Sequence, residues 1–332
     1  MKIININNQS TQPKYKQIVT SVEIAIAEMR LKRNEKLPSV NKVSLEFSIS
    51  RDTVLLAYDE LKKRGIIYAV LGKGYYVKSV EFSFEQRFFL LFDELNIFKE
   101  DIYNSFLKAM DHNVQVDIFF HHFNIDMFRK LINESNGNYS KYIIMPTNLV
   151  GAASVIKTLP TNDVYILDQT NNELTDYPSV HQNFIKDIYD ALLIGKDRIS
   201  KYNKLILIFP GFKEPKGMVE GFNKFCNTFL FNNEIITSFD NRQIQKGEVY
   251  IIPNDRDLVN VLEQSKTQNF KIIEDFGIIS YNDTPLKKVV ENGITTISTD
   301  FSKMGTTLAN MILENKKEQI ENESRLIFRN SL

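Results

Sequence analysis

Between Leu37 and Val77 the chain reads Leu37-Pro38-Ser39, then Ser50-Arg51-Asp52-Thr53-Val54, then Gly72-Lys73-Gly74-Tyr75-Tyr76-Val77. Pro38 interrupts regular structure, and Ser39 is placed to cap a helix through Val43, Leu45 and Phe47. Ser50 caps a second helix whose inner face is Val54, Tyr58 and Leu61, and Gly65 supplies the positive φ on which that helix ends. The β-rich runs 66–70 and 75–77 flank a Gly72-Lys73-Gly74 tip, the pattern of a hairpin. Upstream, Tyr15, Ile18, Val19, Val22, Ile26 and Met29 recur at helical spacing, which predicts an amphipathic helix over 14–29. These elements, in this order, predict a winged helix-turn-helix.

In that architecture the second helix of the turn enters the major groove and its first turn meets base edges. Ser50, Arg51, Asp52 and Thr53 are therefore candidate DNA contacts. Arg51 can donate two hydrogen bonds to guanine O6 and N7. The hydroxyls of Ser50 and Thr53 suit phosphate or base, and Asn41 and Lys42 on the preceding helix suit the backbone or the groove edge. At the wing, Gly72 and Gly74 let the backbone approach closely while Lys73 offers a cation. Charge agrees: the first 79 residues hold 14 basic and 7 acidic side chains, net +7 in a chain whose total is zero. A basic head on an acidic body fits a polyanion-binding head. The competing reading is a protein-binding winged helix on which Arg51 and Lys73 are ordinary surface charges.

These residues carry a resemblance. Pro13-Lys14-Tyr15-Lys16-Gln17-Ile18, Leu37-Pro38-Ser39, Val43, Ser50-Arg51-Asp52-Thr53-Val54, Ala57-Tyr58, Leu61, Gly65 and Gly72 to Val77 together resemble the GntR family of bacterial transcription regulators. The resemblance spans Pro13 to Val77 and implies a DNA-binding role for Arg51, Thr53 and the wing. The family pattern has arginine where this chain has Asn41, often arginine at Leu55, and commonly threonine at Asp52. The family's usual operator therefore does not carry over.

A chain of 332 residues allows two or three domains. We divide it into a winged helix-turn-helix head, 1–79, a connector, 80–89, and an α/β body, 90–332. The run Val80-Glu81-Phe82-Ser83-Phe84 is apolar enough to pack against a neighbour. Strands are predicted at 88–92, 114–120, 142–145, 164–167, 205–209, 248–252 and 277–281. Amphipathic helices are predicted at 102–110, 127–134, 152–158, 182–195, 218–229 and 258–268. Such alternation predicts parallel sheets flanked by helices, in two lobes. Ligands of open α/β sheets sit beyond the C-terminal strand ends. Those ends offer Asp93 and Asn96, His121 and His122, Thr147 and Asn148, Asp168 and Gln169, Asn254 and Asp255, and Asn282 and Asp283. With Phe98, Phe212 and Tyr281 nearby, carboxylates and amides suit a polyhydroxylated ligand. Taken singly, each Asn or Asp is more often a turn residue than a ligand contact, and the set is more informative than its members.

The segments Ile251 to Asp255, Ile279 to Asp283, Ile294 to Ile297, Met304-Gly305 and Arg329-Asn330-Ser331 resemble the sensor body of LacI-type regulators and periplasmic binding proteins, over about 164–332. The resemblance implies a two-lobed, periplasmic-binding-protein-like body with a sugar between the lobes. Asp255 and Asp283 are its foremost hydroxyl partners, and Asp93, Phe98, His121 and Asp168 are further candidates. An arginine common near the start of the second lobe is absent here, and Lys213 or Lys216 is placed to replace it. A GntR head on such a body resembles the arabinose-repressor type of regulator. It implies double-stranded operator DNA, a sugar effector and a homodimer as partners.

Other classes find less in the sequence. No G-x-S-x-G, P-loop or G-x-G-x-x-G fingerprint is present. The only cysteine, Cys226, lies in the apolar run 222–231, and His121-His122 have no companions at metal-ligand spacing. We therefore expect no enzyme, metal or cofactor. No signal sequence or membrane-length apolar run is read, so the expected compartment is the cytoplasm. Two alternatives stay open: a small-molecule enzyme tethered to DNA, and a body that is only a dimerisation scaffold.

Overall fold

The computed structural model describes residues 3–8, 10, 12–80, 86–110, 114–240 and 242–332. The head comprises α1 (Lys14–Ala27), α2 (Val40–Phe47), α3 (Arg51–Lys63), β1 (Ile67–Val70) and β2 (Gly74–Val77). Ile18, Val22, Val43, Val54, Ala57, Tyr58, Leu61 and Val77 are each at most 1% exposed and form its core. The Tyr58 hydroxyl donates to the Pro38 carbonyl at 2.7 Å and its ring meets Tyr75 edge-on at 4.8 Å. One side chain thus pins α3 to both the helix turn and the wing. α1 ends before Met29, which is 79% exposed, and Leu45 on α2 is 81% exposed.

The body opens with β3 (Gln86–Phe92), α4 (Ile97–Ala109), β4 (Val114–Phe120), α5 (Ile125–Ser135), β5 (Lys141–Ile144), α6 (Ala152–Ile156), β6 (Val164–Asp168) and β7 (Ser179–His181). It continues with α7 (Phe184–Ile199), β8 (Lys204–Ile208), α8 (Gly217–Phe229), β9 (Asn233–Ile236), β10 (Glu248–Ile252), α9 (Asp255–Thr267), β11 (Gly277–Tyr281) and β12 (Thr295–Thr299). α10 (Phe301–Leu313), β13 (Gln319–Glu321) and β14 (Ser324–Ile327) complete it. β3 begins inside the stretch read as a connector. Of the apolar run 80–84, residues 81–84 lie outside the described residues, and Val80 is 48% exposed.

Two sheets organise the body. The first runs β13-β7-β6-β5-β3-β4 and is wholly parallel. The second runs β14-β12-β11-β10-β8-β9 and is parallel except for the β12–β14 pair. Strand β3 shows why such sheets read as unbroken apolar runs. Phe88, Leu90 and Phe92 enter one helix layer while Phe89 and Leu91 enter the other, so both faces are dry.

The lobes are not consecutive in sequence. α10 packs into the core of the first lobe although β12 before it belongs to the second, and α7 packs into the second although β7 before it belongs to the first. The chain therefore crosses at 182–183, at 300 and at 322–323. Asn322, 3% exposed, ties these crossings together. Its amide N–H donates to the His181 carbonyl at 2.7 Å, and its side-chain nitrogen donates to Thr299 Oγ1 at 2.6 Å and the Asp300 carbonyl at 3.0 Å.

Candidate functional site

Two places bring functional side chains together. The first is the start of α3. Ser50 adopts an extended backbone and its Oγ accepts the Thr53 amide at 3.1 Å, while the two hydroxyls lie 2.7 Å apart. The Ser50 oxygen is thus committed to fixing the helix start. Arg51 and Asp52 are exposed on the first turn, and the Arg51 guanidinium makes no hydrogen bond or ion pair among the described residues. Asn41 and Lys42 are exposed on α2, whose cap is Ser39 accepting the Lys42 amide at 3.2 Å. At the wing, Gly72 and Gly74 take φ of 72° and 110°, values that a side chain resists, and Lys73 between them is exposed.

The second place is a cleft between the lobes that encloses about 330 Å³. The first lobe lines it with the loops after β3, β4 and β6, the second lobe with those after β8, β10 and β11, and the crossings contribute Gln182 and Phe301. Five of the seven sequence candidates line it: Asp93, Phe98, Asp168, Lys213 and Asp255. His121 does not. Its ring is wholly buried, Nε2 lies 3.0 Å from the Met145 carbonyl and Nδ1 accepts the Phe123 amide at 3.2 Å, so it braces the loop behind the cleft. Burial pushes its pKa down. Asp283 is also outside the lining. Arg329 grips both its oxygens, at 2.7 and 2.9 Å. Burial pushes that carboxyl up, but the bonds and charge of Arg329 outweigh this and hold it below the usual range.

Sequence reading passed over Lys99, Gln182 and Lys287. Lys99, 8% exposed, reaches Asp93 Oδ1 at 3.1 Å from the first turn of α4. Asp168 is 6% exposed with φ of 69° and accepts the Gln182 amide nitrogen at 2.5 Å. Burial raises its pKa, against the charge of Lys99 and the Gln182 bond. Lys287, 3% exposed, donates to the carbonyls of Tyr281 and Asn282 at 2.7 and 3.1 Å and pairs with Asp255 at 2.9 Å. Burial lowers its pKa. At the mouth Lys213 pairs with Glu94 and lies 5.0 Å from the Phe123 ring, and Asn148 donates across the lobes to the Glu214 carbonyl at 2.9 Å. Phe98 and Phe301 form an aromatic wall with ring centroids 4.8 Å apart.

Three polar atoms of this lining are buried without a hydrogen-bond partner among the described residues: Tyr281 Oη, Gln182 Oε1 and Asn282 Oδ1. Tyr281 itself is only 4% exposed. Partnerless buried polar groups are costly, and all three belong to residues that line the cleft. Cys226, by contrast, is 1% exposed inside the second lobe, where burial pushes its thiol up to about 12. It is packing, not a nucleophile.

With this geometry in view, comparison with known proteins decides the two parts separately. Residues 14–77 match the bacterial regulatory proteins of the gntR family. The head is a GntR-type domain. Residues 242–332 match the periplasmic binding protein-like domain, and the body has the fold of LacI-type regulators. The HTH-type transcriptional regulator YcxD of Bacillus subtilis is 34% identical over 64 residues, 19% of this chain and 14% of that protein. The arabinose metabolism transcriptional repressor of Geobacillus stearothermophilus is 35% identical over 69 residues, 21% of this chain and 19% of that one. These matches therefore span only a small part of each curated relative. Among solved structures, the periplasmic binding protein/LacI transcriptional regulator of Alkaliphilus metalliredigens, complexed with D-xylulofuranose, superposes with a TM-score of 0.59 at 13% identity, covering 74% of this chain and 98% of that one. At that identity the likeness shows the fold alone.

Proposed function

We propose that this chain is a ligand-responsive, sequence-specific transcriptional repressor. In this reading an unphosphorylated sugar bound between the lobes sets the affinity of the head for operator DNA. The observation that carries the reading is the pairing, in one chain, of an exposed Arg51 at the start of a recognition helix with a cleft between two lobes lined by carboxylates, amides and an aromatic wall. The arabinose repressor among the relatives and the sugar in the related fold point the same way. The proposed DNA contacts are Asn41, Lys42, Arg51, Asp52, Thr53, Gly72, Lys73 and Gly74, with Ser50 setting the helix start. The proposed ligand contacts are Asp93, Phe98, Asp168, Lys213 and Asp255, joined by Gln182 and Tyr281.

The charges of the cleft argue for an uncharged effector. Its lining has five carboxylates, Asp93, Glu94, Asp168, Glu214 and Asp255, against three lysines. Each lysine is already paired with a carboxylate. A phosphate would meet a net negative wall with no free cation among the described residues, whereas hydroxyls can bond to carboxylate, amide and phenol alike. A sugar ring could lie against Phe98 and Phe301.

Closure would act through the three crossings, because each lobe moves as a packed body while 182–183, 300 and 322–323 absorb the rotation. A homodimer would place two heads on two half-sites, and a changed lobe angle would alter their spacing. Regulator names among the relatives favour this over catalysis, and no helix among the described residues is long and apolar enough to cross a membrane. The test is a thermal-shift screen of the full chain against free monosaccharides and their phosphates. A ligand at a hundred times its dissociation constant stabilises the folded state by ~2.7 kcal/mol. The reading requires a free sugar to raise Tm; a response to phosphosugars alone would reject the uncharged effector.

A further inference from the structure

On α3 a polar first turn gives way to two leucines. Val54, Ala57, Tyr58 and Leu61 fill its core side and are wholly buried. Leu55 is half-buried and Leu56 is 53% exposed. Leu55 stands one helical turn beyond Arg51, and Leu56 one turn beyond Asp52, so each leucine shares a face with a polar residue of the first turn. A single exposed leucine is ordinary. Adjacent leucines that continue the exposed face of Arg51 and Asp52, on a head of net charge +7, extend the face already assigned to DNA.

We infer that Leu55 and Leu56 read thymine C5-methyl groups in the major groove, beside the guanine bound by Arg51. The inference rests on the DNA-binding reading above. A leucine has no donor or acceptor, and the thymine methyl is the one apolar feature of the major-groove base edges. The helix also sets the spacing. Four residues advance about 6 Å, and a base-pair step is about 3.4 Å. The thymine therefore lies one or two base pairs from the guanine in each half-site. Arg51 and Asp52 select by hydrogen bonds, and the leucines select by methyl contact in the next step of the groove.

The experiment uses the full chain. Duplexes are enriched from a random pool at fixed salt, and binding of the enriched duplex is followed by fluorescence anisotropy. Each thymine is then replaced singly by uracil, which removes only the methyl group. One or two thymines per half-site, one or two base pairs from an enriched guanine, should show about fourfold weaker binding with uracil, the worth of one buried methyl. That difference should vanish in Leu55→Ala or Leu56→Ala. An enriched duplex in which no uracil swap matters overturns the inference, as does a uracil penalty equally large in both alanine variants. Either result leaves the DNA-binding reading intact. A pool from which nothing is enriched overturns that reading, and the inference with it.

Discussion

Replacing Tyr281 by Phe should stabilise the empty protein and weaken its ligand. The Tyr281 hydroxyl ends β11 at the cleft, 4% exposed residue and all, with no hydrogen-bond partner among the described residues. Burial holds its pKa well above the usual value, and the charges of Asp187 and Asp168 add to this. A buried hydroxyl without a partner costs about 1–3 kcal/mol, and Phe removes the oxygen while keeping the ring. For a body of this size each kcal/mol moves Tm by ~2–4 °C, so Tyr281→Phe should raise the Tm of the unliganded chain by about 2–12 °C. Losing one ligand hydrogen bond, about 1–1.5 kcal/mol, should weaken the sugar about tenfold. Differential scanning fluorimetry gives the first quantity and a calorimetric titration the second. The opposite signs are the diagnostic. A lower Tm with unchanged affinity would mean that the hydroxyl serves the fold and not the ligand.

Three further perturbations have definite outcomes. Asp187, 6% exposed at the start of α7, is pushed up from 3.8 to about 7 by burial. Because the folded carboxyl holds its proton more tightly than the unfolded one, its contribution to stability falls as pH rises from about 4 to 7, with a ceiling of about 4 kcal/mol. Asp187→Asn should therefore raise Tm at pH 8 and leave it unchanged near pH 4 in melts across that range. At Gly305 a Cβ would stand 2.2 Å from Ser105 Oγ and 2.3 Å from the Ile102 carbonyl, so Gly305→Ala should force α10 off α4 and cost about 1–3 kcal/mol in urea melts. Arg51→Ala should cost ~1–3 kcal/mol on the enriched duplex and relax its base preference. An equal loss on specific and random DNA would mean that Arg51 touches phosphate only.

The head was legible because its punctuation is local. Pro38, the Ser39 and Ser50 caps and the glycines of the wing each fix a boundary from within a few residues. Most body strands were legible because buried parallel strands are continuous apolar runs, as at 205–208. What escaped depends on contacts far apart in sequence. β7 is only three residues long and carries Ser179 and His181, so no apolar run marks it, yet it places Gln182 at the cleft. α10 follows a strand of the second lobe but belongs to the first, which puts Phe301 in the lining with no local sign. Asp283 looked like a ligand contact from its place after β11, but its partner Arg329 lies 46 residues away. His121 sits where a ligand contact was expected, and the carbonyl of Met145 turns its ring inward.

The most direct measurement is the dissociation constant of the full chain for its enriched duplex, with and without the sugar that raises Tm most, at one fixed salt concentration. A cleft coupled to the head should change that constant by about 5–150-fold, and DNA should change the affinity for sugar by the same factor. A dissociation constant that stays the same at saturating sugar would contradict the coupling and leave the body as a scaffold.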